Sequence, residues 1–207
     1  MKKVEPELIP LDVTNGLHVD YYIKFYQNAF QVWQREPENV VMERHRQGKY
    51  FSKLAFLNQQ VIGFYTINPV PELGYTSLNF LAVDKSIQKQ GIGSLLIEDV
   101  KQNFRSDYPS IDILIVEAEG AATYFYMSHG IYRLQIKYKP PTYNGDDALT
   151  DTDLLIYGDD IGDFFQMSIL KPFIKHILTY GYALQEDDPR FNICLEWNKM
   201  VIPIIKK

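Results

Sequence analysis

The sequence predicts a mixed α/β fold with five to seven strands and helices inserted singly among them. Three observations carry this expectation. Apolar runs of strand length recur from Tyr50 to Val83 and again from Ile111 to Tyr157. At Gly91 the hydrophobic period changes from strand to helix. A helix-length segment ending at His129-Gly130 then separates two of the later apolar runs.

The elements follow in order. Leu8–Asp12 reads as a short first strand, and Asp20 as the cap of a helix through Tyr21, Tyr22, Phe25, Phe30 and Trp33 that stops near Pro37. A second helix is expected from Glu38 to about Gln47, with Pro37 at its start. Tyr50–Leu57 and Val61–Val70 form a hairpin turning at Asn58-Gln59-Gln60. Gly74–Val83 is apolar on both faces, as a central strand covered twice would be. From Gly91, the residues Ile92, Leu95, Leu96, Val100 and Phe104 fall at helical spacing until Pro109. Ile111–Val116 is a strand, and Ala121–His129 a short helix stopped by Gly130. Ile131–Tyr138 and Leu154–Tyr157 are strands, with Pro140-Pro141 and the turn pair Asn144-Gly145 between them. Asp163 would cap a further helix through Phe164, Met167, Leu170, Phe173, Ile174 and Ile177, kinked or divided at Pro172. Asn192–Ile205 fits helix and strand equally.

Composition narrows the function classes. With 46% apolar and 23% charged residues, the chain has the balance of a soluble globular protein. Cys194 is the single cysteine, so an internal disulfide is excluded and no cysteine-based zinc site arises within one chain. His18, His45, His129 and His176 show no metal-ligand spacing, so no metal is expected. A net charge of −5 argues against nucleic acid as a partner. No apolar stretch reaches the roughly 18 to 20 residues of a membrane span, and the start Met1-Lys2-Lys3 runs into Glu5, Pro6 and Glu7 rather than an apolar core. A cytoplasmic protein without a membrane partner is the expectation.

The informative segment is Leu81-Ala82-Val83-Asp84-Lys85-Ser86-Ile87-Gln88-Lys89-Gln90-Gly91-Ile92-Gly93-Ser94. A buried strand ends, a polar loop follows, and two glycines open an amphipathic helix. Helix N-termini leave N–H groups unpaired and carry partial positive charge, and glycine lets an anion approach the backbone. The dinucleotide fingerprint fails because Leu96 stands where its third glycine belongs. The Gly-Lys-Ser/Thr of the P-loop is absent. What remains is Gln/Arg-x-x-Gly-x-Gly/Ala, and here the sequence resembles the GNAT superfamily of N-acyltransferases.

The resemblance implies that Gln88, Lys89, Gln90, Gly91, Ile92, Gly93 and Ser94 bind the pyrophosphate of acetyl-CoA, while the backbone of Leu81, Ala82 and Val83 pairs with its pantetheine arm. Lys89 departs from the family pattern, where a further glycine is frequent. Ala121–Ile131 resembles the family's downstream motif and puts Tyr126 where a tyrosine protonates the departing thiolate. A phenol of ordinary pKa about 10 is suited to that step. Glu117 and Glu119, alternating onto one side at the end of a strand, are candidates to take the proton of an amine acceptor; Glu119 stands where many members have asparagine.

The resemblance spans roughly residues 8 to 158. It implies a twisted mixed sheet of six or seven strands flanked by helices, over an acyl-CoA-binding domain of residues 1–158. Residues 159–207 would be a mostly helical extension that covers the acceptor site or serves a homodimer. The activity implied is acetyl transfer from acetyl-CoA, as co-substrate, to an amine by direct attack. A CoA-binding regulatory domain without transfer is the alternative. Asp146, Asp147, Asp151, Asp153, Asp159, Asp160 and Asp163 have no Lys or Arg between Pro140 and Leu170. They suggest a negative rim for a cationic amine.

Overall fold

The computed structural model describes residues 6–143 and 148–206. The chain divides into two compact units, one comprising the residues up to Pro69 with Thr76–Pro109, the other Val70–Tyr75 with the residues from Ser110 on. Nine strands occur among the described residues, two more than the upper expectation. Both additions lie beyond residue 159.

In the first unit the strands β1 (Glu7–Pro10), β2 (Phe51–Leu57), β3 (Gln60–Val70) and β4 (Tyr75–Val83) lie in that order. The β2–β3 hairpin turns where expected. Asn58 and Gln59 both adopt positive φ, +50° and +64°, which matches the handedness of a two-residue hairpin turn. Side-chain alternation along β3 gives the sheet two covered faces. Phe64 meets Tyr22 and Phe25 of helix α1 (Gly16–Ala29). Its neighbours Gly63 and Tyr65 meet Leu96 and Asp99 of helix α3 (Ile92–Asp107). The expectation that Asp20 caps α1 is corrected. Asn15 is the cap, its side chain accepting from the N–H groups of Leu17 and His18 at 3.0 and 3.4 Å. The helix ends at Ala29, and Val32–Gln34 is a separate 3-10 turn.

Helix α2 (Glu38–Arg46) begins after Pro37, as expected, and packs a polar interior against β2. Its His45 has Nδ1 2.9 Å from the Val41 carbonyl and Nε2 2.8 Å from Ser52 Oγ. The chain continues through Thr66 to the Tyr22 hydroxyl. Burial lowers the His45 pKa to about 4, so the ring is neutral. Beside it, the almost fully buried Glu36 pairs with Arg44 at 2.6 Å and accepts a hydrogen bond from the Tyr50 hydroxyl. Burial raises its pKa to about 7 against the pull of Arg44 and Tyr50. Asn79 on β4 donates to Tyr50 at 2.9 Å and accepts from Ser77 at 2.7 Å, which commits its amide to this network.

Helix α3 (Ile92–Asp107) buries Ile92, Leu96, Ile97, Val100 and Phe104; Leu95, expected on that face, is exposed.

The second unit orders its strands β5 (Ile113–Ala118), β7 (Asp153–Tyr157), β6 (Tyr132–Leu134), β9 (Val201–Ile205) and β8 (Phe164–Gln166), every pair antiparallel. Helix α4 (Ala121–Ser128) runs between positive-φ glycines at Gly120 and Gly130. The helix expected from Asp163 is corrected. Phe164–Gln166 pairs with β9, and helix α5 starts only at Met167, running to His176. Pro172 lies inside α5, and the carbonyl four residues back belongs to the exposed Ser168, where water can satisfy it. A π-helical turn, Ile177–Gly181, follows, then helix α6 (Pro189–Ile193). The core of this unit gathers Tyr75, Ile115, Leu154, Ile156, Leu170, Phe173, Ile174, Cys194 and Ile202. Cys194 is the small buried residue expected, its thiol pKa raised by burial to about 11. Among the described residues no helix is long and apolar enough to cross a membrane.

The Glu36–Arg44 pair generates a stability prediction. Glu36→Gln leaves a mostly buried guanidinium without its counter-charge and should cost about 3–5 kcal/mol in urea unfolding. A loss below about 1 kcal/mol would mean that the guanidinium reaches water without it.

Candidate active site

In the first unit, β4 delivers the chain to the loop at a height set by a close backbone approach. A Cβ added at Gly63 would lie 2.9 Å from the Ala82 carbonyl oxygen and 3.3 Å from Leu96 Cδ1. Only glycine lets β3 and β4 run this close beneath α3. Beyond Val83, the Asp84 N–H donates to the Ile62 carbonyl at 2.9 Å. Its carboxylate accepts from Ser86 N–H and Oγ at 2.8 and 2.7 Å, closing the 3-10 turn Lys85–Ile87. Gln88 Nε2 then donates back to the Val83 carbonyl at 3.1 Å. The loop is thereby tied at one end to β3 and at the other to β4.

Lys89 and Gly91 take left-handed backbone, φ +64° and +90°. For a lysine this conformation costs about 1–2 kcal/mol, which explains why glycine suits the position. Gly91 is the N-cap of α3 and contributes no side-chain bond; no acidic residue stands in the first turn. The N-cap side chain therefore satisfies none of the first-turn N–H groups, which lie at the positive end of a 16-residue helix. Gln88, Lys89, Gln90 and Gly91 are exposed, and a Cβ on Gly91 would meet nothing within 4 Å. Such an open, cationic, uncapped turn fits a pyrophosphate.

In the second unit, Tyr126 is buried on α4. Its hydroxyl makes no hydrogen bond to the described residues, and burial raises its pKa, keeping it protonated. Tyr124, on the other side of the helix, is surface. Glu117 and Glu119 separate in character. Glu117, opposite Leu154 in the β5–β7 ladder, accepts from the Tyr138 hydroxyl on one oxygen and from the Tyr182 hydroxyl on the other at 3.1 Å. Burial raises its pKa to about 7, opposed by both tyrosines and reinforced by the charge of Glu119. Glu119 lies past the strand, exposed, with a long 3.4 Å contact from Thr152 Oγ1. Tyr138 and Tyr182 had no local signal in the sequence: they stand 21 and 65 residues from Glu117.

The uncompensated acidic rim is corrected. Asp151 pairs with Lys139 at 2.7 Å, Asp153 with Arg133 at 3.4 Å and Asp163 with Lys206 at 3.0 Å. The partners come from outside the acidic stretch. Asp146 and Asp147, like Asn144-Gly145, lie outside the described residues. The histidines serve packing. His129 Nδ1 lies 2.8 Å from the Phe125 carbonyl and His176 Nδ1 2.7 Å from the Tyr75 hydroxyl.

With this geometry in hand, the comparisons with known proteins are direct. Residues 22–135 match the family described as acetyltransferase (GNAT) domain, more than half of the chain. The chain belongs to the GNAT acetyltransferase family. The matched stretch contains the loop of residues 88–94, Glu117, Glu119 and Tyr126, whereas Tyr138 and Tyr182 lie beyond it. Solved structures share the fold at low identity. A putative GNAT-family acetyltransferase from Bacteroides thetaiotaomicron is 16% identical, with TM-score 0.69, covering 86% of this chain and 99% of that one. A GNAT-family acetyltransferase from Elizabethkingia anophelis, solved with acetyl-CoA bound, is 20% identical, with TM-score 0.56 over 75% of this chain and 99% of its own. The ribosomal-protein-S18-alanine N-acetyltransferase of Escherichia coli is 18% identical, with TM-score 0.57 over 76% and 99%. Among curated proteins, none matches this sequence.

The close approach at Gly63 admits no Cβ unless backbone moves. Gly63→Ala should lower stability by about 1–3 kcal/mol in urea unfolding, because backbone rather than a flexible side chain must move. An unchanged midpoint would show that β4 is free to shift.

Proposed function

We propose that this family member transfers an acetyl group from acetyl-CoA to a primary amine of a small molecule or peptide, by direct attack. The observation that carries the reading is the uncapped N-terminus of α3 behind the left-handed Lys89–Gly91 loop. Acetyl-CoA supplies an acyl group already activated as a thioester. The N–H groups of the α3 first turn hold the pyrophosphate, with Gln88 bracing the loop and Lys89 adding a cation. The backbone of Leu81, Ala82 and Val83 pairs with the pantetheine arm. The acetyl-CoA-bound relative from Elizabethkingia supports this reading by its fold.

An amine arrives protonated and must lose that proton before it attacks. Glu117 is the better-suited acceptor, since its pKa near 7 makes it a base at neutral pH and an acid afterwards. The groups acting on its charge include no cation, so an ammonium would supply the missing one. This moves the attraction for a cationic acceptor from the aspartate rim to Glu117. Tyr126, a protonated phenol, donates to the departing thiolate. Residues 159–207 are proposed to border the acceptor side.

Two outcomes test the reading. Acetyl-CoA at one hundred times its Kd should stabilise the chain by about 2.7 kcal/mol in thermal melts, and Gly91→Asp should remove the effect while the variant keeps its circular dichroism. No shift at millimolar concentration would refute the loop assignment; a shift without transfer to any amine would favour the regulatory domain. Tyr126→Phe should reduce kcat about 10²-fold or more with little change in acetyl-CoA affinity. Normal turnover in that variant would reduce Tyr126 to packing.

A further inference from the structure

We infer that Tyr182, from the C-terminal segment outside the family match, is a positioning residue that holds Glu117 as the proton acceptor. The inference rests on the role assigned to Glu117 above. Its grounds are the backbone around Tyr182 and where its hydroxyl goes.

Helix α5 does not simply continue to residue 181. Across Ile177–Gly181 the hydrogen bonds widen, and the Tyr182 N–H reaches the Ile177 carbonyl five residues back at 3.2 Å. One residue more per turn rotates everything that follows by about 100° relative to an uninterrupted α-helix. The next residue, Ala183, is left-handed at φ +54°, although alanine carries a Cβ and pays about 1–2 kcal/mol for it. Leu184 N–H then returns to the Leu178 carbonyl at 2.9 Å. Two local irregularities thus flank one side chain. π-turns and strained non-glycine residues concentrate at functional sites. The buried Ile177, Leu178 and Leu184 anchor the distortion in the core.

The result is a tyrosine aimed at Glu117. Its hydroxyl donates to Oε2 at 3.1 Å, and Tyr143 stacks on its ring with centroids 4.6 Å apart and planes 20° from parallel. Tyr138 donates to the other oxygen, Oε1. Each carboxylate oxygen keeps a second lone pair for an ammonium. Both donors favour the charged carboxylate, the form that accepts a proton. The titratable groups facing Glu117 are Tyr138, Tyr182, Tyr75, Cys194 and Glu119, with Tyr143 behind Tyr182. Burial pushes the four groups Tyr75, Tyr138, Tyr182 and Cys194 upward, so the acid-side titration belongs to Glu117 under the influence of Glu119.

The test uses the full chain labelled with [5-13C]glutamate, the Glu117 resonance being assigned from Glu117→Gln. In parallel, kcat/KM is followed against pH with tyramine, spermidine and an alanine-initiated peptide as acceptors. Tyr182→Phe removes a donor to the carboxylate. The Glu117 titration and the acid limb of kcat/KM should both move up by about one unit. Turnover at neutral pH should fall about tenfold, with the KM for acetyl-CoA unchanged. Fluorotyrosine at position 182, which donates more strongly and preserves the packing, should move both down, and it replaces the phenylalanine variant should that one misfold. Titration and limb unmoved by either change, in an enzyme that Glu117→Gln inactivates, would overturn this inference alone. Undiminished transfer in Glu117→Gln would overturn the role of Glu117 and this inference with it, and no transfer to any acceptor would overturn the proposed function itself.

Discussion

The first turn of α3 has no cap of its own, and much of the first unit is arranged around that deficiency. A 16-residue helix leaves its leading N–H groups unpaired, and most helices satisfy some of them with a Ser, Thr, Asp or Asn side chain. Here Gly91 stands at that position, preceded by a left-handed Lys89. The strain in Lys89 is held by what surrounds it: the Asp84 turn, the Gln88 tether to Val83, and the close passage of Gly63 beneath Ala82. These features keep the turn open toward solvent. In the function proposed above, a pyrophosphate is the cap that the helix lacks.

Two carboxyl groups illustrate how partners, rather than pKa, separate structure from chemistry. Glu36 and Glu117 are both raised to about 7, and in both burial is the leading cause. Glu36 is closed in by Arg44, a guanidinium 2.6 Å away, and by Tyr50. It is almost fully buried and already holds its counter-charge, so it works as an anchor between α2 and the sheet. Glu117 has tyrosine hydroxyls instead of a cation, is partly exposed, and faces the negative Glu119. A carboxylate so placed is improved by an arriving ammonium. In the proposed reaction the proton acceptor is therefore Glu117, and not Glu119 or the aspartates after Pro140.

Legibility in the sequence followed the range of the interactions. The period change at Gly91, the turn at Asn58-Gln59 and the stop at Gly130 depend on near neighbours, and each element stands close to where the residues placed it. The first cap was misplaced because Asp20 and Asn15 are both competent, and only the docking of Tyr22 and Tyr26 against the sheet decides between them. Phe164–Gln166 read as helix because Met167, Leu170, Phe173 and Ile174 continue its spacing. Its strand state depends on pairing with Val201–Pro203, 35 to 39 residues on. The acidic stretch looked unpaired because Lys139, Arg133 and Lys206 lie outside it. Tyr138 and Tyr182 were invisible for the same reason, and the π-turn that aims Tyr182 has no compositional signature.

The central claim, that an external anion caps α3, is tested most directly by 15N amide spectra of the chain titrated with CoA, with inorganic pyrophosphate as competitor. The account requires saturable downfield shifts of the amides of Ile92, Gly93 and Ser94, reversed by pyrophosphate, with Lys89 and Gly91 among the residues perturbed. Amides at 91–94 that stay unmoved while CoA binds elsewhere would contradict it.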